Sequence, residues 1–578
     1  MVAAFLATLY AEWRIITGSL TFQTDSMIHE FWMRRFADGG LFQDPLTESL
    51  LDTGYSPPAF RSLYWLASQV MDPVFFGEIL PLVLQPFAVW LLFRIVRTHV
   101  EWRPAAWIGA ALFLVPWEVH RFSGGHPRAF AQPIVLLTLL LLLSRRNLAA
   151  ALVPPVGLLL YPPAGAVALG IVILATLDFS RPRFLDVQRL RWAGVSVLGV
   201  GAAYVLTRLT TGSQDTIGEA EARMFPEFGP DGQMHFFASS TLEFLKQNYS
   251  GFFLQDSGSI LAVAAALLFA LRPRNARLLR WEVWCVSIVA LVLFAAAHAL
   301  LFRLYLPHRY TYALLPFSCI AIAVWLRPTF QALAERGRAL VLLAAPLLVL
   351  AAVLLALTVF PLGPQLSLEA FGSWLEDAAP YLAVGLGVGL VVAFVMRRDG
   401  RGAVAAVVAA GLLVGAATFA GGTRSPGAVR CDDEALYQHL QTLPEDTIVA
   451  ADPFDSDCIP IAARRPVLIS RKLYQPWAVD YFELIRGRMF DTVEAYNGAS
   501  VEAIVALRDR YGADYLLVRG GGRKDRWPRV EPFIGEARRL RRAVDVRAVE
   551  RLPGHCVAWS EGELELYSLA CIAGEESR

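Results

Sequence analysis

The chain has 578 residues, 56% of them hydrophobic and 18% charged, with a mean hydropathy of +0.46. A soluble domain does not carry that much apolar sequence, so the chain is polytopic. The net charge of +1, with basic residues scattered through short loops, excludes nucleic acid as a partner. Nearly all the basic residues are Arg; Lys stands only at Lys246, Lys472 and Lys524, a bias read as genome composition.

Apolar runs long enough to cross a bilayer, about 20 residues with allowance for tilt, recur as far as Ala420. They fall near 2–21, 74–96, 104–119, 129–144, 147–161, 163–178, 192–208, 257–272, 281–303, 309–327, 338–360, 379–396 and 402–420. This predicts about thirteen spans. Arginines cluster in alternate loops: Arg94, Arg97 and Arg103; Arg145 and Arg146; Arg181 to Arg191; Arg272 to Arg280; Arg327 to Arg338; and Arg397 to Arg401. The positive-inside rule makes those loops cytoplasmic. An odd number of spans then places the first loop, 209–256, 361–378 and everything after Thr423 outside. The first span lacks a basic leader and a small-residue cleavage site and carries Glu12 and Arg14, so it is expected to stay as a span.

Just beyond that span, Thr24 to Pro45 gathers three aspartates, a histidine, arginines and tryptophan at the membrane boundary. A helix over Phe22–Gly39, lying along the membrane surface, would place Ile28, Phe31, Trp32 and Phe36 on one apolar stripe. Asp25 and His29, four apart, would share a neighbouring face. A carboxylate there can act as a general base or hold a metal, and it can equally serve as the helix N-cap.

The second outer loop runs from Glu118 through His120, Arg121, Ser123, Gly124, Gly125, His126 and Arg128. Two arginines and two histidines on the outer side suit an anionic group such as a phosphate, and snorkelling to headgroups also accounts for the arginines. The same two readings apply to Pro307-His308-Arg309-Tyr310. Arg309 enters a span from the outside, against the orientation bias, which favours a specific partner.

From Arg424 the composition becomes that of a soluble domain. Short β-rich runs at Thr447–Ala451, Pro466–Ser470 and Ala513–Arg519 alternate with helical stretches at Asp480–Tyr496 and Val501–Tyr511, which predicts βαβ units and a parallel sheet. His555–Cys571 reads as an antiparallel pair on its edge. Cys431, Cys458, Cys556 and Cys571 fall in this part, enough for two disulfides in an oxidising compartment with three possible pairings. Asp452, Asp455 and Asp457 end the first strand, where a cation would fit, but the spacing fails an EF-hand loop and turn chemistry is favoured. No hydrolase nucleophile signature occurs. The fold expected is a polytopic α-helical membrane domain, 1–423, with an amphipathic first outer loop, 22–73, and a C-terminal extracytoplasmic α/β domain, 424–578.

This pattern resembles the GT-C glycosyltransferases, integral membrane enzymes that use polyprenyl-phosphate-linked sugar donors. The matching pieces are the DSMIHEFW start at Asp25–Trp32, the run from Arg309 and Tyr310 to Pro316, LPEDTIV at Leu443–Val449, and Ala462-Ala463-Arg464. The layout of thirteen spans and an outer C-terminus is similar to that of oligosaccharyltransferase catalytic subunits. Protein O-mannosyltransferases and aminoarabinose transferases are more distant in plan. Two family features are missing: Asp452-Pro-Phe-Asp455 stands near the position of the W-W-D-Y-G motif, and the second outer loop offers Glu118 in place of a paired acidic motif.

The resemblance implies a transferase of cell-envelope glycan biosynthesis. Asp25 would be its catalytic carboxylate, with His29 beside it. Arg309, with His308, Arg128 and Arg121, would hold the donor phosphate. A divalent cation, Mg or Mn, is a candidate cofactor. The acceptor would be a glycan, lipid or protein, and the site would open outside a bacterial inner or plasma membrane. The alternatives are a non-catalytic scaffold or polyprenyl-lipid carrier of the same fold, and a transporter. A transporter would want ionisable residues at mid-membrane or symmetric broken helices.

Overall fold

In a computed structural model, the described residues are 2–18, 20–101, 121–177, 184–210, 215–247, 249–252, 257–271, 273–325, 427–520 and 530–576, with a few isolated positions at 106–114 and 327–328. The spans expected at 338–360, 379–396 and 402–420, and most of 104–119, lie outside them.

Apolar sequence becomes helix wherever spans were expected among the described residues: Val2–Thr17, Pro81–His99, Ala131–Leu143, Asn147–Leu160, Pro162–Leu174, Val187–Thr210, Ser257–Leu271, Trp281–Ala299 and Leu314–Trp325. Three stretches, Pro73–His99, Val187–Thr210 and Trp281–Ala299, are long and apolar enough to cross a membrane. Two physical situations are represented. Leu314–Trp325 is buried on all sides, whereas Val187–Thr210 leaves Leu198 at 75% and Leu209 at 78% exposure. Side chains of that size on one helix belong against hydrocarbon, not water.

The basic loops meet at one end of this bundle. Arg189 donates to Glu282 at 2.8 Å and Arg280 donates to the same carboxylate at 3.0 Å. Arg280 also reaches the Leu143 carbonyl at 3.1 Å, and Arg327 reaches the carbonyl of His99 at 3.1 Å. Guanidinium groups thus satisfy carbonyls left over at helix C-termini, which is where the macrodipole favours cations.

The first loop departs from the helix expected over Phe22–Gly39. It opens as a strand, β1 (Thr21–Gln23), which pairs antiparallel with β2 (Ala428–Arg430), some 400 positions later in the chain. After Asp25 come a single helical turn, Ser26–His29, and a 3-10 stretch, Phe31–Phe36. Phe31 and Trp32 of the expected surface stripe point into a protein core shared with residues 427–576, and Ile28 is buried against the cavity described below. Backbone pairing with β2 therefore wins over helical periodicity. Further along, Pro45–Asp52 is capped by Asp44, whose side chain accepts from the Leu46 and Thr47 amides, with Pro45 at the first helical position.

The C-terminal part contains a four-stranded sheet in the order β3 (Val449–Ala451), β4 (Tyr515–Arg519), β6 (Leu564–Ser568), β5 (Val557–Glu561). β3 and β4 run parallel, because helices Val479–Asn497 and Val501–Tyr511 make the crossover between them. β4–β6 and β6–β5 are antiparallel, the latter pair forming the expected edge hairpin. Pro466–Ser470 is not a strand; it makes one isolated parallel bridge, Val449 to Val467. The four outer cysteines pair as Cys431–Cys458 and Cys556–Cys571.

Candidate functional site

At the end of the bundle opposite the basic loops lies a cavity of about 250 Å³. Asp25, Arg121, Arg128, His308 and Arg309 all line it, brought from three separate segments of the chain. A fourth segment, 471–477, closes it from the C-terminal part with Arg471, Lys472, Gln475 and Trp477.

Asp25 sits in the turn between β1 and the helix Ser26–His29. It occupies the N-cap position, but its side chain makes no capping hydrogen bond. The carboxylate instead faces the cavity, with Arg128 Nη1 at 2.5 Å from Oδ2 and Lys472 Nζ at 3.9 Å from Oδ1. Burial pushes its pKa up, yet Arg128 and Lys472, with smaller contributions from His126 and His29, outweigh that and hold it well below the ordinary carboxylate value.

His29 does not line the cavity. Its ring stacks on Tyr55 at 4.6 Å, nearly parallel, and the His126 ring is 5.3 Å away. Burial pushes its pKa down to about 4, Asp25 opposing and Arg128 and Arg309 assisting, so it is neutral near pH 7. Its contribution is to support the Tyr55 ring, which does line the cavity. His126 likewise turns away from the cavity, contrary to the anion-binding reading of its loop; it lies between Glu30 and Gln23.

Arg121 and Arg309 share one aromatic ring. The Arg121 guanidinium lies 3.8 Å from the centroid of Tyr312 and that of Arg309 5.5 Å, with Arg309 also donating to the Tyr312 hydroxyl. Guanidiniums stack well on aromatic faces and present a planar fork to an oxyanion. Tyr249, Tyr305 and Trp477 complete an aromatic wall.

Arg471 and Lys472 are cavity cations that sequence reasoning passed over, as it did the aromatic residues Tyr55, Tyr249, Tyr305 and Trp477. Both cations are set by Asp457, which accepts from Arg471 Nε at 3.0 Å and from the Lys472 amide at 2.8 Å. The aspartate cluster is thereby explained without a cation. Asp452 accepts from the Phe454 amide in a turn, Asp455 pairs with Arg519 at 3.1 Å, and Asp457 orients two cavity cations. A signal for Lys472 did exist, since it is one of three lysines in an arginine-dominated chain.

The donor set does not fit a divalent cation. Hard cations take six or so oxygen ligands, and Asp25 is the one carboxylate lining the cavity among the described residues, beside Arg128 and Lys472. Glu118 lies outside the described residues. Elsewhere, His555, Cys556 and Cys571 come together, but the two cysteines are joined in a disulfide and offer no thiolate.

No family model matches the chain, and no curated protein does either. Among solved structures it is similar to ArnT from Cupriavidus metallidurans in the apo state, at 14% identity and a TM-score of 0.55, over 99% of this chain and 98% of that one. It is also similar to the same protein bound to undecaprenyl phosphate, at 15% identity and a TM-score of 0.56, over 98% of each chain. A weaker likeness is to the Archaeoglobus fulgidus oligosaccharyltransferase in the apo form, at 13% identity and a TM-score of 0.45, over 90% of this chain and 69% of that one. The chain has the GT-C fold of membrane glycosyltransferases.

Proposed function

We propose that this protein is a membrane glycosyltransferase that moves a sugar from a polyprenyl-phosphate-linked donor to an extracytoplasmic glycan, lipid or protein acceptor. The observation that carries the reading is the convergence of one carboxylate, Asp25, with Arg121, Arg128, Arg309, Arg471 and Lys472 in a single aromatic-walled cavity. The undecaprenyl phosphate bound to ArnT, a protein of the same fold, supports a lipid phosphate as the anion those cations hold.

In this mechanism Arg309 and Arg121 grip the donor phosphate through charge-assisted hydrogen bonds. An acceptor hydroxyl or amine attacks the anomeric carbon from the opposite face. The new bond forms as the anomeric carbon–oxygen bond to phosphate breaks, the electron pair leaves on the phosphate oxygen, and Asp25 takes the acceptor proton. The configuration at the anomeric carbon is inverted. A carboxylate clamped by Arg128 and Lys472 is a weak base, so the donor phosphate must first draw those cations away. As it does, the Asp25 pKa rises towards its ordinary value and the base becomes competent. Stabilisation of the leaving phosphate by fixed cations is the larger contribution to rate.

We place the cavity on the outer side of a bacterial inner or plasma membrane, with 424–578 as an extracytoplasmic α/β domain covering it. Two disulfides in that segment and the arginine-rich loops at the far end of the bundle support this orientation.

The test is undecaprenyl phosphate binding by purified protein. Arg309→Gln should weaken it by about 10- to 100-fold, the loss of a charge-assisted contact of roughly 1.5–3 kcal/mol. Wild-type affinity in both Arg309→Gln and Arg121→Gln would overturn the phosphate assignment.

A further inference from the structure

Gln23, the last residue of β1, is fully buried, and its Oε1 accepts the Asp25 amide proton at 2.5 Å. The same oxygen lies 2.8 Å from His126 Nε2. Since an N–H from Asp25 already points at Oε1, the Gln23 amide cannot be turned round without setting two donors against each other. His126 Nε2 must therefore carry a proton and donate. The other ring nitrogen, Nδ1, lies 3.0 Å from Oε1 of Glu30, which is fully buried and also accepts from the Tyr64 hydroxyl at 3.3 Å. Neither ring nitrogen is turned to the cavity.

The backbone around His126 is built for this position. Gly124 and Gly125 have φ of 75° and 63°, the left-handed region that favours glycine. A Cβ at Gly124 would lie 2.5 Å from His126 Nε2, and one at Gly125 would lie 2.7 Å from the Gly77 carbonyl oxygen. Two residues past His126, the same loop delivers Arg128 to the Asp25 carboxylate. One short segment therefore holds Asp25 twice, by its side chain through Arg128 and by its main chain through Gln23.

We propose that His126 is a positioning residue for Asp25, fixing the Asp25 backbone through Gln23. The inference rests on the reading of Asp25 as the base. Its physical content is that a reacting group misplaced by about 1 Å can cost as much as 10²-fold in rate.

Two substitutions separate this role from bulk and from phosphate binding. His126→Gln puts an amide N–H near the place of Nε2 and keeps the donor to Gln23. His126→Asn reaches only as far as Nδ1 did and loses that link. Purified full-length variants are added to membranes from a host strain lacking the protein, which supply donor and acceptor. The initial rate is read by mass spectrometry as return of the envelope species missing from that strain. His126→Gln should work within about threefold of wild type, and His126→Asn should fall about 10- to 100-fold, up to the cost of a misplacement of about 1 Å. Undecaprenyl phosphate affinity should stay at the wild-type value in both.

Wild-type rate in His126→Asn overturns the inference, as does an equal loss in both variants, or a loss of undecaprenyl phosphate affinity in His126→Asn. If His126→Asn does not fold, Gln23→Met, of similar length and without an acceptor, takes its place with the same expected loss. Asp25→Asn is run alongside. If it transfers normally, the base reading fails; if it is inactive while His126→Asn is active, only the positioning role fails.

Discussion

Arg128 Nη1 lies 2.5 Å from Asp25 Oδ2, so in the unliganded protein the proposed base is neutralised by the same guanidinium that would serve the donor phosphate. The pair is mostly shielded, the Arg128 side chain being 16% exposed and that of Asp25 24%. In the proposed mechanism substrate phosphate and the Asp25 carboxylate compete for that cation.

Because burial is outweighed by Arg128 and Lys472, the folded-state pKa of Asp25 is lowered. The unfolded chain takes up its proton first as pH falls, so the stability this group contributes is fully present above about pH 4, the ordinary carboxylate value, and is lost as pH drops through the lowered one. Arg128→Gln removes the nearer cation and should move the acid limb of unfolding, followed by tryptophan fluorescence in detergent, to higher pH. An unchanged limb would mean that Arg128 does not set the charge state of Asp25.

Lys472 gives a prediction at the other end of the pH scale. Burial lowers its pKa, with Asp25 opposing and Arg471 assisting. Phosphate binding needs the ammonium, and the charged form is lost as pH rises through the lowered pKa. Undecaprenyl phosphate affinity should therefore decline below the ordinary lysine range, about 10.4, and Lys472→Arg should remove that decline. An identical alkaline profile in Lys472→Arg would take Lys472 out of the site.

The Cys431–Cys458 disulfide closes a 27-residue separation and anchors β2, the strand that pairs with β1 beside Asp25. Loop-closure entropy assigns such a link about 3–4 kcal/mol. Non-reducing peptide mapping should recover Cys431 with Cys458 and Cys556 with Cys571. Cys431→Ser should lower the unfolding midpoint and slow transfer together. Four free thiols in exported protein would contradict both the pairing and the outer compartment.

Orientation is checked by labelling single introduced cysteines from outside the cell. Positions near Gly520 and Gly212 should react and positions near Arg274 and Arg398 should not. Reaction of Arg274 and Gly520 positions from the same side would remove the basis for an outer cavity.

The helical bundle was legible because hydropathy depends on local composition, which no distant contact changes. Pro73–His99 and Trp281–Ala299 follow from their residues alone. Asp25, Arg128 and Arg309 could be singled out from chemistry that is out of place at a span end, a cue also available locally, but their meeting in one cavity depends on tertiary packing. The course of the chain around Asp25 was not legible. β1 exists because Ala428–Arg430 pairs with it, and nothing in Thr21–Gln23 announces a partner 400 residues away. Lys472 escaped for a related reason: its position depends on Asp457, and a run of three aspartates reads as turn chemistry until Arg519 and Arg471 are seen to meet two of them.

The central claim is that Asp25 is the base of a sugar transfer, and Asp25→Asn tests it most directly. The substitution keeps the side-chain size and leaves Arg128 and Lys472 in place. Transfer activity and undecaprenyl phosphate affinity are measured on the same preparation. Transfer should fall by roughly 10²–10⁴-fold, the contribution of a general base. Affinity should hold or tighten, because two cations no longer have a carboxylate to neutralise. A folded Asp25→Asn protein that transfers at the wild-type rate would contradict the account.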